Sequence, residues 1–334
     1  MASPAAAPPI GLLLFNLGGP DTLADVEPFL VRLFSDREII ELPLGAWFQP
    51  LFARLIARKR GPDVRENYRK IGGGSPQLRI TRAQADALEQ RLNKDGRRFR
   101  TFIAMRYWYP DTEQALEAMA GDGISRVVTL TLYPHYSCAT TGSSESELSR
   151  ALARRRWHDR FDMSGIPSYP DEPLYVEALA DSVRQGLDGF PAEMRDRVVL
   201  LFSAHGLPKR FIERGDPYVT HTEATRRAIL ARLGAPNRHV LGFQSRTGPV
   251  AWIGPGTEEV LQELGREGVK DVLVVPLSFV SDHIETLYEV DMLFADAAAK
   301  AGITTYRRTA ALNTNPKFIE ALARLVERHV GDTG

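Results

Sequence analysis

Cysteine is almost missing from this chain: Cys138 is the only one in 334 residues. That excludes a disulfide framework and any site needing several thiolates, such as a protein-held iron–sulfur cluster. A reducing cytoplasm fits. Net charge is missing too. Lys+Arg 42 balances Asp+Glu 42, so no global field draws nucleic acid, and any basic recognition must be local. No run reaches the roughly 20 apolar residues of a transmembrane helix. The nearest, 42–56, is broken by Pro43, Gln49, Pro50 and Arg54. Met1–Pro9 (MASPAAAPP) lacks a basic n-region and reads as a disordered leader, not a signal peptide. Several motifs are absent as well: G-x-x-x-x-G-K-[ST], G-x-G-x-x-G, the G-x-S-x-G elbow and H-E-x-x-H. Their absence argues against a nucleotide P-loop, a dinucleotide site, an α/β-hydrolase and a zinc hydrolase.

What is present is an ordinary globular composition, 43% hydrophobic and 25% charged, in a chain of about two domains' length. Apolar runs alternate with helix-forming segments. Strands are expected at Ile10–Leu17, Phe99–Met105, Val127–Leu132, Val198–Ser203, Val240–Gln244, Val272–Val280 and Ile303–Arg307. Helices are expected at Ala24–Leu33, Ile80–Leu92, Asp111–Ala120, Thr222–Leu233, Thr257–Leu264 and Pro316–Val330. Ser143 or Ser144 is placed to cap a further helix running to Arg156, and Arg210–Pro217 reads as a loop. The two halves repeat. Pro110-x-Thr112-Glu113-x-x-Leu116 followed by Gly123-Ile124 aligns without a gap on Pro255-x-Thr257-Glu258-x-x-Leu261 followed by Gly268-Val269. The pattern implies an α/β protein of two similar, Rossmann-like doubly wound domains, 10–165 and 166–334, with strand ends facing one cleft. The last helix, 316–330, is free to pack back on the first domain.

Ionisable residues gather at two of those strand ends. His205 sits at the tip of VVLLFSAHGLP, and Asp282, His283 and Glu285 crowd the turn after Val272–Val280. A histidine exchanges a proton near neutral pH. Glu285 and Glu289 stand i,i+4 if Ile284–Asp291 is helical, so they share a face and raise each other's affinity for protons or a cation. Ser203 and Ser281 lie one or two residues from a histidine and do not aim at it, which disfavours a serine hydrolase. His135 beside Cys138 supplies too few ligands for a protein metal site. Three features read two ways. Gly18-Gly19 is a tight turn or a place of close approach for a flat ligand. Arg106 among Tyr107, Trp108 and Tyr109 is a core cluster or a wall for a planar anion. The segment 42–60, with Phe48, Leu51, Phe52, Leu55 and Ile56 before Arg58-Lys59-Arg60, is a helix covering the sheet or an apolar lip with a basic rim. Proton and metal traffic around an aromatic ligand is the chemistry left standing.

The segments LFNLGGPDTLADVEPFLVRLF, YRKIGGGSP, AMRYWYPDTEQA, YPHYSCATTGSS, LFSAHGLP, RGDPY, FQSRTGPVAWIGP and SFVSDHIETLYEVD follow in order along nearly the whole chain. They resemble ferrochelatases. The resemblance implies insertion of Fe2+ into protoporphyrin IX with release of two protons, giving protohaem, by a lyase without a tightly bound cofactor. It implies His205 and Glu285 as catalytic residues that also meet the iron, with Glu289 and Asp291 continuing an acidic path. It implies porphyrin contacts from Leu17, Tyr68, Ser75, Arg106, Tyr107 and Trp252, and ranks His283 as a supporting residue. The lip reading of 42–60 is favoured, with a membrane-surface contact and a cytoplasmic or peripheral location. Animal members hold a [2Fe–2S] cluster in a cysteine-rich extension; with cysteine only at Cys138 none is expected, and monomer and homodimer both stay open. Relatives acting on coproporphyrin III tend to carry tyrosine at the position of Leu17, so the leucine favours protoporphyrin IX. The alternatives are a coproporphyrin III enzyme, another tetrapyrrole chelatase and a non-catalytic porphyrin or haem carrier. Polar groups on both walls of the cleft argue against the carrier.

Overall fold

The structure, a computed structural model, describes residues 8–39, 48–94, 96–234, 236–246 and 250–332. In the first half, β1 (Ile10–Asn16) is followed by α1 (Val26–Ser35), α2 (Gln49–Lys70), α3 (Gln77–Leu92), β2 (Phe99–Met105), α4 (Thr112–Gly121), β3 (Arg126–Thr131), α5 (Ser143–Arg155) and β4 (Asp162–Ile166). Then come α6 (Pro173–Asp188), β5 (Val199–His205), α7 (Lys209–Glu213), α8 (Tyr218–Leu233), β6 (His239–Gln244), α9 (Thr257–Arg266), β7 (Asp271–Pro276), α10 (Ala295–Lys300), β8 (Thr305–Arg308) and α11 (Pro316–Asp332). Two four-stranded sheets result, ordered β2-β1-β3-β4 and β6-β5-β7-β8. Every pairing is parallel. The central strands β1, β5 and β7 are buried almost end to end. They therefore read as unbroken apolar runs rather than alternating ones, as strands covered on both faces do.

The identical strand order carries the repeat seen in the sequence, and it extends further. Each half has a π-helix after its third strand, Cys138–Gly142 and Glu285–Phe294. The internal alignment places the first of these opposite the opening turn of the second. One apolar core joins the sheets: Leu12, Leu14, Val128 and Leu130 of the first pack in the same cluster as Leu200, Phe202, Leu273 and Val275 of the second. Helix α11 contributes Phe318, Leu322 and Val326 to it. Its Glu320 pairs with Arg91 of α3 at 2.5 Å.

Several elements depart from expectation. The strand expected to run to Val280 ends at Pro276, and the remaining residues become the turn that enters the cleft. Ile284–Asp291 is not an α-helical stretch: from Glu285 it lies in the π-helix that runs on to Phe294, with Ile284 as its N-cap. Arg210–Pro217 holds the short α7. Neither Ser143 nor Ser144 is the cap before α5. The N-cap of α5 is Gly142, and Ser137 caps the first π-helix before it, accepting the amide of Ala139. Strand β4 and helix α6, to which no expectation attached, complete the set. In the lip, 42–47 lies outside the described residues. From Gln49 the chain forms α2, which buries Ala53 and Ala57 while leaving Phe48, Leu51 and Leu55 exposed. The small residues face the protein and Phe48, Leu51 and Leu55 face out, while Phe52 and Ile56 are half-buried and Ile56 packs against the cluster of Val26, Phe29 and Leu30. At Gly18, φ is +82° and a side-chain carbon would stand 2.8 Å from Cβ of Trp108. The tight turn explains that glycine.

Candidate active site

Both sheets end at one cavity. It is lined from the first half by Asn16, Leu17 and Tyr133, and from the second by His205, Phe279 and Glu285. His205 is the last residue of β5. Its backbone is held on both sides: the N–H donates to Ser278 Oγ (3.0 Å), and the carbonyl accepts from the Tyr218 hydroxyl (2.9 Å). Gly206 follows because a side-chain carbon there would come within 2.7 Å of the Gln244 carbonyl oxygen. The imidazole is thus fixed at the strand end, with Nδ1 2.8 Å from Glu285 Oε2. About a third of the ring's surface stays open, 34% against 12% for the Glu285 side chain.

Glu285 is a hub. Its Oε2 also accepts from Ser245 Oγ (2.7 Å) and Gln244 Nε2 (3.2 Å), and its Oε1 lies 3.9 Å from His283 Nε2. Burial pushes the carboxyl up, but His205, through charge and hydrogen bond, and the Ser245 hydroxyl outweigh it and hold Glu285 down at about 2. Burial pushes His205 down, and the Glu285 carboxylate more than reverses that, so the histidine is raised. Burial lowers His283 further than Glu285 can restore, so this ring stays neutral. Its Nδ1 lies 3.1 Å from the Ser281 carbonyl, which places the hydrogen on Nδ1. Nε2 is buried without a partner.

Ser245 settles where one more proton sits. Its Oγ is 2.7 Å from Glu285 Oε2 and also 2.7 Å from Glu289 Oε2. A hydroxyl has one hydrogen to donate. Given to ionised Glu285, it leaves Glu289 to supply its own, so Glu289 is the protonated member. Its environment agrees: burial and then the Glu285 charge push Glu289 up to about 7. Above the ordinary carboxylate range the native state keeps a proton that the unfolded chain has lost. That stability is complete below the unfolded value and is lost as pH rises through about 7. Glu289→Gln, which mimics the protonated acid, is therefore expected to raise the melting temperature by a few degrees at pH values above 7 and to leave it unchanged near the unfolded carboxylate pKa. Thermal melts at both ends of that range check it.

The cavity brings together Leu17, His205, His283 and Glu285. The other expected residues stand elsewhere. Asp291 is turned away from Glu289 and grips Arg308 through both oxygens (2.7 and 3.0 Å), while Arg308 also meets Asp282 at 3.1 Å. Glu289 and Asp291 stand i,i+2, so they point to different sides of the helix. Arg106 and Tyr107 do not line the cavity. Both bond the buried carboxylate of Asp36, at 2.7 and 2.6 Å, and Ser143 joins them at 2.7 Å. Burial raises Asp36, but Arg106 and these hydroxyls outweigh it and keep it ionised. Tyr68 is buried on the last turn of α2. Ser75 lies against Gly19, and the Trp252 ring against Gly206, one residue from the catalytic candidate. Sequence reasoning missed Ser245, Tyr218, Ser278 and Asp36. Ser245 was within reach, since it lies at the end of a predicted strand beside a Gly/Pro loop.

A family model described as ferrochelatase matches residues 9–330. The chain belongs to the ferrochelatase family. The ferrochelatase of Geotalea uraniireducens is 52% identical over 96% of this chain and 97% of its own length. That of Synechocystis sp. is 48% identical over 97% of this chain and 83% of its own. A solved structure titled SirB from Bacillus subtilis with Fe3+ covers 96% of the chain and 95% of its own at a TM-score of 0.57 and 12% identity. It shares the two-sheet chelatase fold. As ferrochelatases do, this enzyme acts as a lyase on ferrous iron and a porphyrin in haem biosynthesis.

Proposed function

We propose that His205 and Glu285 carry the insertion step, and that protoporphyrin IX is the porphyrin taken. The observation that supports this reading is the pair itself: an imidazole held by a buried carboxylate at 2.8 Å, on the wall of a cavity that both sheets reach. A carboxylate on Nδ1 fixes the tautomer that leaves Nε2 as a lone pair toward the cleft, and it stabilises the imidazolium formed when a proton arrives. A flat macrocycle keeps its nitrogen lone pairs in plane. A cleft complementary to a bent ring exposes one and lowers the barrier. His205 then takes a pyrrole proton as Fe2+ enters, and a second proton passes to Glu285 and on through Ser245 to Glu289 once Glu289 has released its own to solvent. His205 and Glu285 meet the iron only in transit; among the described residues no group of three ligands forms a closed metal site. Leu17, apolar and on the cavity wall, favours the vinyl-bearing ring. Anaerobic incubation with Fe2+ and either protoporphyrin IX or coproporphyrin III, followed by absorbance, tests this. The larger kcat/KM is expected with protoporphyrin IX, and a preference for coproporphyrin III overturns the substrate assignment. No iron–sulfur cluster enters the reading, since Cys138 is the only cysteine.

The lip extends the proposal. Phe48, Leu51 and Leu55 are 52%, 55% and 56% exposed, beside Arg54, Arg58, Lys59 and Arg60. Among the described residues no helix is long and apolar enough to cross a membrane. An apolar tip with basic flanks suits the surface of an anionic bilayer, the source of a poorly soluble porphyrin. Joint Leu51→Ser and Leu55→Ser substitution is expected to reduce flotation with anionic vesicles while leaving turnover of detergent-dispersed porphyrin intact. Unchanged flotation contradicts the contact.

A further inference from the structure

Helix α3 buries polar side chains where a helix at a domain junction ordinarily buries apolar ones. Gln77 is 7% exposed, and Thr81 and Gln84 are fully buried. Their spacing puts them on one stripe. Burying such groups is costly unless each is bonded, and the bonds reach both walls of the cleft. Gln77 Nε2 donates to Asn16 Oδ1 (2.9 Å), Asn16 Nδ2 donates to Thr81 Oγ1 (2.9 Å), and the same Asn16 Oδ1 accepts the amide of Leu17 (2.8 Å). At the other end, Gln84 Nε2 donates to the Asn313 carbonyl (2.8 Å) and to Ser281 Oγ (3.1 Å). Asn313 in turn accepts the Asp282 amide (3.0 Å) and donates to the Asp282 carboxylate (2.9 Å).

Each end therefore holds one wall. The first fixes the end of β1, which presents Leu17. The second fixes the turn Ser281-Asp282-His283, whose Ser281 carbonyl orients the His283 ring that faces Glu285 at 3.9 Å. Two turns of helix, about 10 Å along the axis, separate the anchors. The rest of α3 is clamped by Arg91 to Glu320 and Glu327 of α11. We propose that Gln84 is a positioning residue for metal insertion: through Ser281 and His283 it holds Glu285 in register with the opposite wall of the porphyrin cleft. It touches neither iron nor macrocycle and acts through the turn.

This inference rests on the assignment of Glu285 to the insertion step. The test is Gln84→Met, which keeps length and volume but removes both polar atoms, together with Ser281→Ala and the double variant. In each, kcat is expected to fall by roughly 10- to 100-fold, the cost of losing a supporting partner at a metal-handling site. Porphyrin affinity, read by fluorescence quenching, is expected to stay unchanged. The double variant should lose no more than the worse single, because both cut one connection. Unchanged kcat, additive losses, or a fall in porphyrin affinity that matches the fall in kcat each overturn the proposal. If Gln84→Met fails to fold, Ser281→Ala decides by the same split of kcat from affinity. Glu285→Gln run alongside separates the two failures: full activity there refutes the site, whereas an impaired Glu285→Gln beside a fully active Gln84→Met refutes only the strut.

Discussion

His205→Ala is expected to lower the rate of iron insertion by roughly 10²- to 10⁴-fold, the usual contribution of a positioned general base, while porphyrin still binds. Binding is expected to survive because the apolar residues that line the cavity, such as Leu17 and Leu207, are left in place by the substitution. The rate collapses because nothing adjacent replaces the imidazole. His283 is the nearest alternative, yet it is buried, kept neutral by burial, and committed through Nδ1 to the Ser281 carbonyl. The fold tolerates the change, since His205 is anchored by its backbone through Ser278 and Tyr218. Single-turnover absorbance under anaerobic conditions, paired with porphyrin fluorescence quenching, measures both quantities. Near-normal turnover refutes the role. Loss of porphyrin binding makes His205 a binding residue.

Glu285→Gln is expected to cost about 100-fold or more in kcat, by analogy with the loss when a buried carboxylate behind a catalytic histidine is neutralised. The amide keeps the shape but withdraws the charge that raises His205 above its ordinary 6.5. Burial then outweighs the remaining pull of Glu289 and lowers the histidine. The imidazole remains neutral to lower pH but is a weaker base, and the imidazolium it forms has no counter-charge in a desolvated cleft. Glu289 responds in the same sense. With the Glu285 charge gone, one cause of its raised value disappears. A kcat that holds while porphyrin affinity falls would reassign Glu285 to binding.

How far the chain announced all this differs by level. The parallel sheets were legible because strands covered on both faces read as apolar runs, and Ile10–Phe15 and Val199–Phe202 do. The repeat was legible because Pro-x-Thr-Glu starts a helix after each half's second strand. The ends of Val272–Val280 were not, since an apolar run does not say where pairing stops; Leu277 and Val280 are buried without belonging to the strand. The π-helix at Glu285 was invisible, because its residues also fit an α-helix. The resemblance put Asp291 on the acidic path, whereas the structure pairs it with Arg308. Arg106 and Tyr107 looked like a ligand wall because an arginine among aromatics suits an anion. Its partner, Asp36, lies far away in the sequence, and nothing local to either marks the contact. Ser245 shows the same limit at smaller scale: its value lies in being within reach of two carboxylates on another element.

The central claim is that one buried carboxylate tunes one histidine for proton removal during metal insertion. The most direct measurement is the pH dependence of the single-turnover insertion rate in the native enzyme and in Glu285→Gln. Rate should rise with pH as His205 loses its proton. The midpoint is expected above 6.5 in the native enzyme, where Glu285 raises the histidine, and at distinctly lower pH, with a smaller plateau, in the variant. A midpoint that stays in place when Glu285 is neutralised would contradict the account.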